Sequence, residues 1–114
     1  MDSWGKHLLL DAKDCNEDIN DQKIVKQFLF LLVEEIEMVP LAPPFTIYVD
    51  DEDGKGVTGY QLIRTSHISF HGDDNGKRVF LDVFSCEDFD EDDVVRLFDR
   101  FFSPSEIKRQ LIIR

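Results

Sequence analysis

Basic residues are scarce in this chain: 13 Lys and Arg stand against 24 Asp and Glu, a net charge of −11 over 114 residues. Clustered Lys and Arg are what a phosphate backbone requires, so a nucleic-acid partner is excluded. The acidic excess instead favours solubility and attracts cationic small molecules. No apolar run is long enough to span a bilayer, and residues 1–15 lack a signal-peptide pattern, so no membrane association and a cytoplasmic location are expected. Cysteine is limited to Cys15 and Cys86, which are expected as free thiols of a reducing compartment rather than as a disulfide. Metal-binding patterns are missing too. The acidic runs Asp50–Asp53, Asp73–Asp74 and Glu87–Asp93 have no EF-hand spacing and read as solvated turns and helix starts. His67 and His71 share a strand face but lack a third ligand at zinc spacing.

What is present suits a folded protein: 42% of residues are hydrophobic and 11% aromatic, enough for one domain with a two-layer core. Lys6–Ala12 reads as a strand. Cys15–Asp21 is polar and turn-rich, and its Asn20 or Asp21 is placed to cap a helix over about 22–38. That helix carries one apolar stripe of Ile24, Val25, Phe28, Leu29, Leu32 and Ile36, and Pro40, Pro43 and Pro44 are expected to stop it. Strands follow at Phe45–Val49, Val57–Arg64, Ser66–His71 and Lys77–Cys86. Asp90–Phe102 reads as a second helix whose acidic first turn suits the helix dipole, and Glu106–Ile113 as a last strand. The expected fold is of the α/β class, an α+β two-layer sandwich. Its order is β-α-β-β-β-β-α-β, with a mainly antiparallel sheet and both helices on one face. The other face has no helix to cover it. It is polar, or another copy packs there, or a site is built on it; a homodimer is expected.

The chemistry-bearing residues are concentrated in Gly56-Val57-Thr58-Gly59, Thr65-Ser66-His67-Ile68-Ser69-Phe70-His71 and Leu81-Asp82-Val83-Phe84-Ser85-Cys86. They bring hydroxyls, two imidazoles and a thiol within about thirty residues, but no hydrolase triad and no nucleophile elbow. Residues alone leave open whether this is a site or ordinary strand composition.

Those segments, with Gly5-Lys6-His7-Leu8-Leu9-Leu10-Asp11 and Cys15-Asn16, stand in the order and spacing of a known family. Over roughly residues 5–102 the chain resembles the short prokaryotic, pyruvoyl-dependent type of S-adenosylmethionine decarboxylase proenzyme. The resemblance implies a self-processing enzyme of polyamine biosynthesis. Ser66 would attack the Thr65 carbonyl, and cleavage between them would leave residues 1–65 as a β chain. Residues 66–114 would form an α chain headed by a covalent pyruvoyl group, with neither a metal nor pyridoxal phosphate. That group would take the substrate amine as a Schiff base. The resemblance assigns Thr58 to assisting the processing step, His71 to acting as its base, and Cys86 to returning a proton after CO₂ leaves. Ser66 and His71 are separated by an odd number of residues, so a regular strand aims them at opposite faces, and a bend or bulge at the cleavage point is expected to reconcile them.

The sequence departs from the family in three places. Thr65 stands where relatives carry Glu. Gly72-Asp73-Asp74-Asn75 replaces Thr-Trp-Pro-Glu, so Asn75 takes the place of the Glu expected to bind ribose hydroxyls. The acidic Asp51–Lys55 segment replaces a His-x-Phe. S-adenosylmethionine is the leading substrate on this resemblance. Ornithine or arginine is the alternative, and an uncleaved regulatory homologue is the reading from another class.

Overall fold

The computed structural model describes residues 4–114. Six strands, β1 (Lys6–Lys13), β2 (Phe45–Asp51), β3 (Gly54–Ile63), β4 (Ser66–Asp73), β5 (Arg78–Ser85) and β6 (Glu106–Ile113), form one sheet with the spatial order β2-β3-β4-β5-β1-β6. Every neighbouring pair is antiparallel. Helix α1 (Gln22–Glu35) lies between β1 and β2, and α2 (Glu91–Phe102) between β5 and β6. The expected order and two-layer architecture therefore hold.

Strand alternation fixes which face is which. Leu8 and Leu10 on β1, Val57 and Ile63 on β3, Ile68 and Phe70 on β4, and Val79, Leu81 and Val83 on β5 are all buried. They meet Val25, Phe28, Leu29 and Leu32 of α1 and Val94, Phe98 and Phe102 of α2. Phe28 is the hub, edge-on to Phe70, Phe98, Phe101 and Phe102 with ring centroids 5.1–6.2 Å apart, a favoured aromatic geometry.

Asp21 caps α1, accepting from the amides of Lys23 and Ile24. The stretch before it is more ordered than its polar composition suggests, because Asn16 caps a single 3₁₀ turn at Glu17–Asn20. Helix α1 stops at Glu35, short of the expected 38, and it is not a proline that stops it. Glu37 takes a left-handed φ of 59°, and the Met38 and Glu37 amides turn back to the Val33 and Glu34 carbonyls at 2.9 and 3.0 Å. This is a Schellman ending, with the buried pair Met38 and Val33 as its apolar contact.

The opposite sheet face is uncovered and strongly apolar. Phe45, Ile47, Tyr60, Leu62, Phe80 and Ile112 are exposed there, and the strand registers place His7, His67 and His71 on the same face. An exposed apolar patch of this extent marks an interaction surface.

Two outcomes are expected from the core. Phe28→Ala should lower the unfolding free energy by about 3–5 kcal/mol in a denaturant titration, because four aromatic partners lose their common contact. Burial pushes the Cys15 thiol up from 9.0 to about 11, with Asp14 adding to the rise. The folded state then keeps a proton that the unfolded state loses. Stability is therefore full below pH 9 and declines as pH rises toward 11, and Cys15→Ala should remove that part of the decline.

Candidate functional site

Strand β3 turns into β4 through a two-residue hairpin, Arg64–Thr65, with Ile63 paired to Ser66. The next ladder pairs Ser66 with Ser85 of β5. The chain leaves β5 through Cys86, whose amide donates to the Thr65 carbonyl at 3.2 Å. Thr65, Ser66, Ser85 and Cys86 are therefore gathered at one end of the sheet, although twenty positions separate the two pairs. The Thr65 and Ser85 hydroxyls are 2.7 Å apart, and Ser85 Oγ also accepts from the Glu87 amide at 3.0 Å. Both hydroxyls rest against the Met38 sulfur, at 3.6 and 3.5 Å. Lys6 holds the segment after Cys86 in place: its ammonium donates to Asp88 and to the Phe89 carbonyl and lies over the Phe89 ring. Cys86 is exposed, and Cys15 is buried in the core.

Thr58 and His71 form a second group elsewhere. They are register partners on β3 and β4, with Thr58 Oγ1 2.9 Å from His71 Nδ1. The imidazole stacks on Phe80 at 6.5 Å between centroids. When Nδ1 carries the proton and donates to Thr58, the Nε2 lone pair is left free to act as a base. The β3–β4 ladder stops at this pair. Beyond it Gly56 passes so close to β4 that an added Cβ would lie 2.1 Å from the Gly72 carbonyl oxygen. A cavity of about 350 Å³ opens beside the pair, lined by Asp51, Asp53, Lys55, Thr58, His71 and Asp73 among others. The Arg78 guanidinium beside Asp73 holds its carboxyl below the usual carboxylate range. Asp51 is committed to the β2–β3 turn, accepting from the Asp53 and Gly54 amides. Asp53 is left as the cavity carboxylate with no ion pair among the described residues.

The residues expected to act together thus fall into two groups. Ser66 and His71 lie at opposite ends of a regular β4, five residues or about 16 Å apart along the strand. No bulge in that strand brings their side chains to one face: His71 belongs to the open face, and Ser66 follows the buried parity of Ile68 and Phe70. The expected reconciling bend is absent. The turn at Arg64–Thr65 orients the Thr65 carbonyl without moving His71 closer. Asn75 sits exposed in the β4–β5 turn, its amide bonded to Asp73 Oδ1, and does not line the cavity. Asp51 and Asp53, expected only as part of an acidic loop, do line it. Ser85 was legible as part of a motif but carried no assigned role; its importance depends on a strand register that spacing does not reveal. Among the described residues no group of three His, Cys, Asp or Glu side chains is placed to hold a metal ion, and no helix is long and apolar enough to cross a membrane.

Comparison with known proteins gives a consistent result. A protein named S-adenosylmethionine decarboxylase proenzyme from Methanococcus maripaludis strain C5 is 28% identical over 109 residues, covering 94% of this chain and 86% of that protein. One of the same name from Archaeoglobus fulgidus is 25% identical over 112 residues, covering 96% of both. The crystal structure of the adenosylmethionine decarboxylase from Aquifex aeolicus superposes with a TM-score of 0.82 over 100% of this chain and 92% of that one; at 22% identity this likeness speaks for the fold. The profile of the family described as S-adenosylmethionine decarboxylase matches residues 6–114, and the chain belongs to that family.

Proposed function

We propose that the chain is a self-cleaving proenzyme that matures into a pyruvoyl-dependent decarboxylase of S-adenosylmethionine, working in the cytoplasm in polyamine biosynthesis. The observation that carries the reading is the hydrogen bond from the Cys86 amide to the Thr65 carbonyl, on the peptide that precedes Ser66. A backbone donor aimed at that oxygen stabilises the negative charge that develops when a hydroxyl adds to the carbonyl carbon. The Ser66 hydroxyl is the adjacent nucleophile. Its oxygen bonds to the Thr65 carbon, the Thr65–Ser66 C–N bond breaks, and the hydroxyl proton ends on the freed amine, leaving an ester. Removal of the Ser66 α-proton then expels the Thr65 carboxylate. Hydrolysis of the remaining enamine, with loss of ammonia, leaves a ketone at position 66.

These residues fit the pyruvoyl group by their chemistry, with a hydroxyl at the turn, an amide donor on the preceding carbonyl and an exposed thiol beside it. The group itself supplies a carbonyl that takes up the substrate amine and accepts the electron pair left by CO₂. Cys86 serves as proton donor because a thiol can give and recover a proton near neutral pH. The carboxylates of the cavity suit a cationic substrate, and Asn75, in the neighbouring turn, is the candidate for hydrogen bonding to its ribose hydroxyls.

His71, the proposed base, cannot reach Ser66 within one chain. A second copy resolves this. With two open faces packed about a two-fold axis that runs across the strands, the Thr58–His71 end of one copy meets the Ser66–Cys86 end of the other. The apolar residues of that face supply the contact. With its side chain toward the helices, the Cα hydrogen of Ser66 tilts toward the open face, where the partner's imidazole arrives. The proposed active form is therefore a homodimer of processed chains with no membrane or nucleic-acid partner.

Two experiments test these statements. Intact-mass measurement should find fragments 1–65 and 66–114, and CO₂ release from S-adenosylmethionine should exceed that from ornithine or arginine. Ser66→Ala should remain one band without activity, whereas Cys86→Ala should be cleaved but impaired in turnover. A wild-type chain that stays whole, with an unmodified serine, would leave a non-catalytic relative. For the dimer, Ser66→Ala and His71→Ala chains should each stay uncleaved alone. When the two are co-expressed, the His71→Ala chain should split, because the partner supplies the imidazole. Absence of fragments from the mixed dimer would return the base to the same chain.

A further inference from the structure

Ser85 is fully buried, and a buried hydroxyl costs stability unless its hydrogen bonds are made. Here they are made in a particular way. Ser85 Oγ accepts from the Glu87 amide at 3.0 Å and lies 2.7 Å from Thr65 Oγ1, with the Met38 sulfur as the remaining neighbour of both hydroxyls. The same residue, Thr65, is held a second time through its carbonyl on the Cys86 amide. The carbonyl anchor restrains rotation about the Thr65 Cα–C bond, because that rotation moves the bonded oxygen, but it leaves the Thr65 Cα free to shift with the turn. A second anchor on the side chain holds the Cα in place, and the two together fix the plane of the Thr65–Ser66 peptide. The two anchors come from consecutive residues, Ser85 and Cys86, at the end of one strand.

We propose that the Ser85–Thr65 hydroxyl pair positions the scissile peptide for attack by the Ser66 oxygen, making Ser85 a positioning residue for ester formation. The inference rests on the self-cleavage reading and adds a residue to it. Neither hydroxyl is consumed. Ser66 Oγ bonds to the Thr65 carbonyl carbon, the peptide C–N bond breaks, and the Oγ proton passes to the liberated nitrogen, while the pair keeps the carbonyl oxygen on the Cys86 amide. The effect is one of orientation, in which a small misplacement costs much of the rate. A threonine suits this role, because its β-hydroxyl reaches the buried Ser85 oxygen directly, with the Met38 sulfur beside both.

The test follows the appearance of fragments 1–65 and 66–114 in freshly folded protein. Thr65→Val, which keeps the branched shape and removes only the hydroxyl, should slow cleavage about tenfold, the effect of one lost hydrogen bond. Ser85→Ala should slow it by a similar factor, and Ser85→Thr should restore the rate. The double variant should be no slower than the slower single one, because both changes remove the same contact. Hydroxylamine, which cleaves esters, should release no early fragment from Ser85→Ala, since the block precedes the ester. Cleavage of Thr65→Val at the wild-type rate, single effects that multiply in the double variant, or a hydroxylamine-sensitive ester accumulating in Ser85→Ala would each overturn the inference while leaving self-cleavage intact. If Ser85→Ala does not fold, the Thr65→Val rate decides alone. Failure of the wild-type chain to split overturns both.

Discussion

The pairing of Ser66 with Ser85 across β4 and β5 is the constraint on which the rest depends. It brings a turn and a strand end together, so that the Cys86 amide reaches the Thr65 carbonyl and the two hydroxyls meet. The site residues themselves contribute little to fixing this register. A slip by one position would turn Ile68, Phe70, Leu81 and Val83 out of the core toward solvent. At about 1.5–3 kcal/mol for each large apolar side chain, the cost far exceeds what the few hydrogen bonds at the turn could repay. Burial on the helix side therefore sets the geometry of the polar groups at the sheet's end. The chemistry depends on hydrophobic packing several residues away.

Much of this fold was legible because its signals are local. The strand at Glu106–Ile113 and the helix beginning at Gln22 stand where pattern and capping place them, and the two-layer class follows from their order. Where local signals compete, the sequence reads less well. The apolar period of α1 continues through Ile36 to Met38, so periodicity alone extends the helix. A left-handed Glu37 ends it, a conformation uncommon for a residue other than glycine, and Met38 is then carried to the hydroxyl pair. The 3₁₀ turn after Cys15 rests on Asn16, whose side chain caps it and also donates to the Phe101 carbonyl, and in sequence such a residue is indistinguishable from any polar turn.

The candidate site was named by resemblance, and its arrangement was not legible. Ser66, Thr58, His71 and Cys86 are assigned by likeness to a family's motifs, which report order along the chain and say nothing of distance across a sheet. The odd interval between Ser66 and His71 was the one clue. The structure gives it a different meaning from a local bend: β4 is regular, and the two residues belong to different ends and faces of the sheet. Ser85 illustrates the converse. A serine beside a cysteine attracts no attention until register places it against Thr65. Asp51 and Asp53 likewise become cavity residues only because the β2–β3 turn folds toward the end of the β3–β4 ladder.

The division of the site also bears on timing. On the proposed reading, one chain holds the nucleophile at Ser66, the carbonyl of Thr65, the Cys86 amide that donates to it and the Ser85 hydroxyl that meets Thr65. It lacks the base for the irreversible elimination, which belongs to the opposite end of a second copy. The amide is normally favoured over the ester, so a lone chain can return from the ester to the peptide without loss. Only after two open faces have closed on each other does proton removal commit the backbone to scission. On that reading the uncovered apolar face is more than a surface needing a partner, because its closure would bring the base to the chain end to be cut. The same arrangement gives a reason for keeping Thr58 and His71 far from Ser66: a base within reach of the ester in the monomer would cut chains before they had assembled.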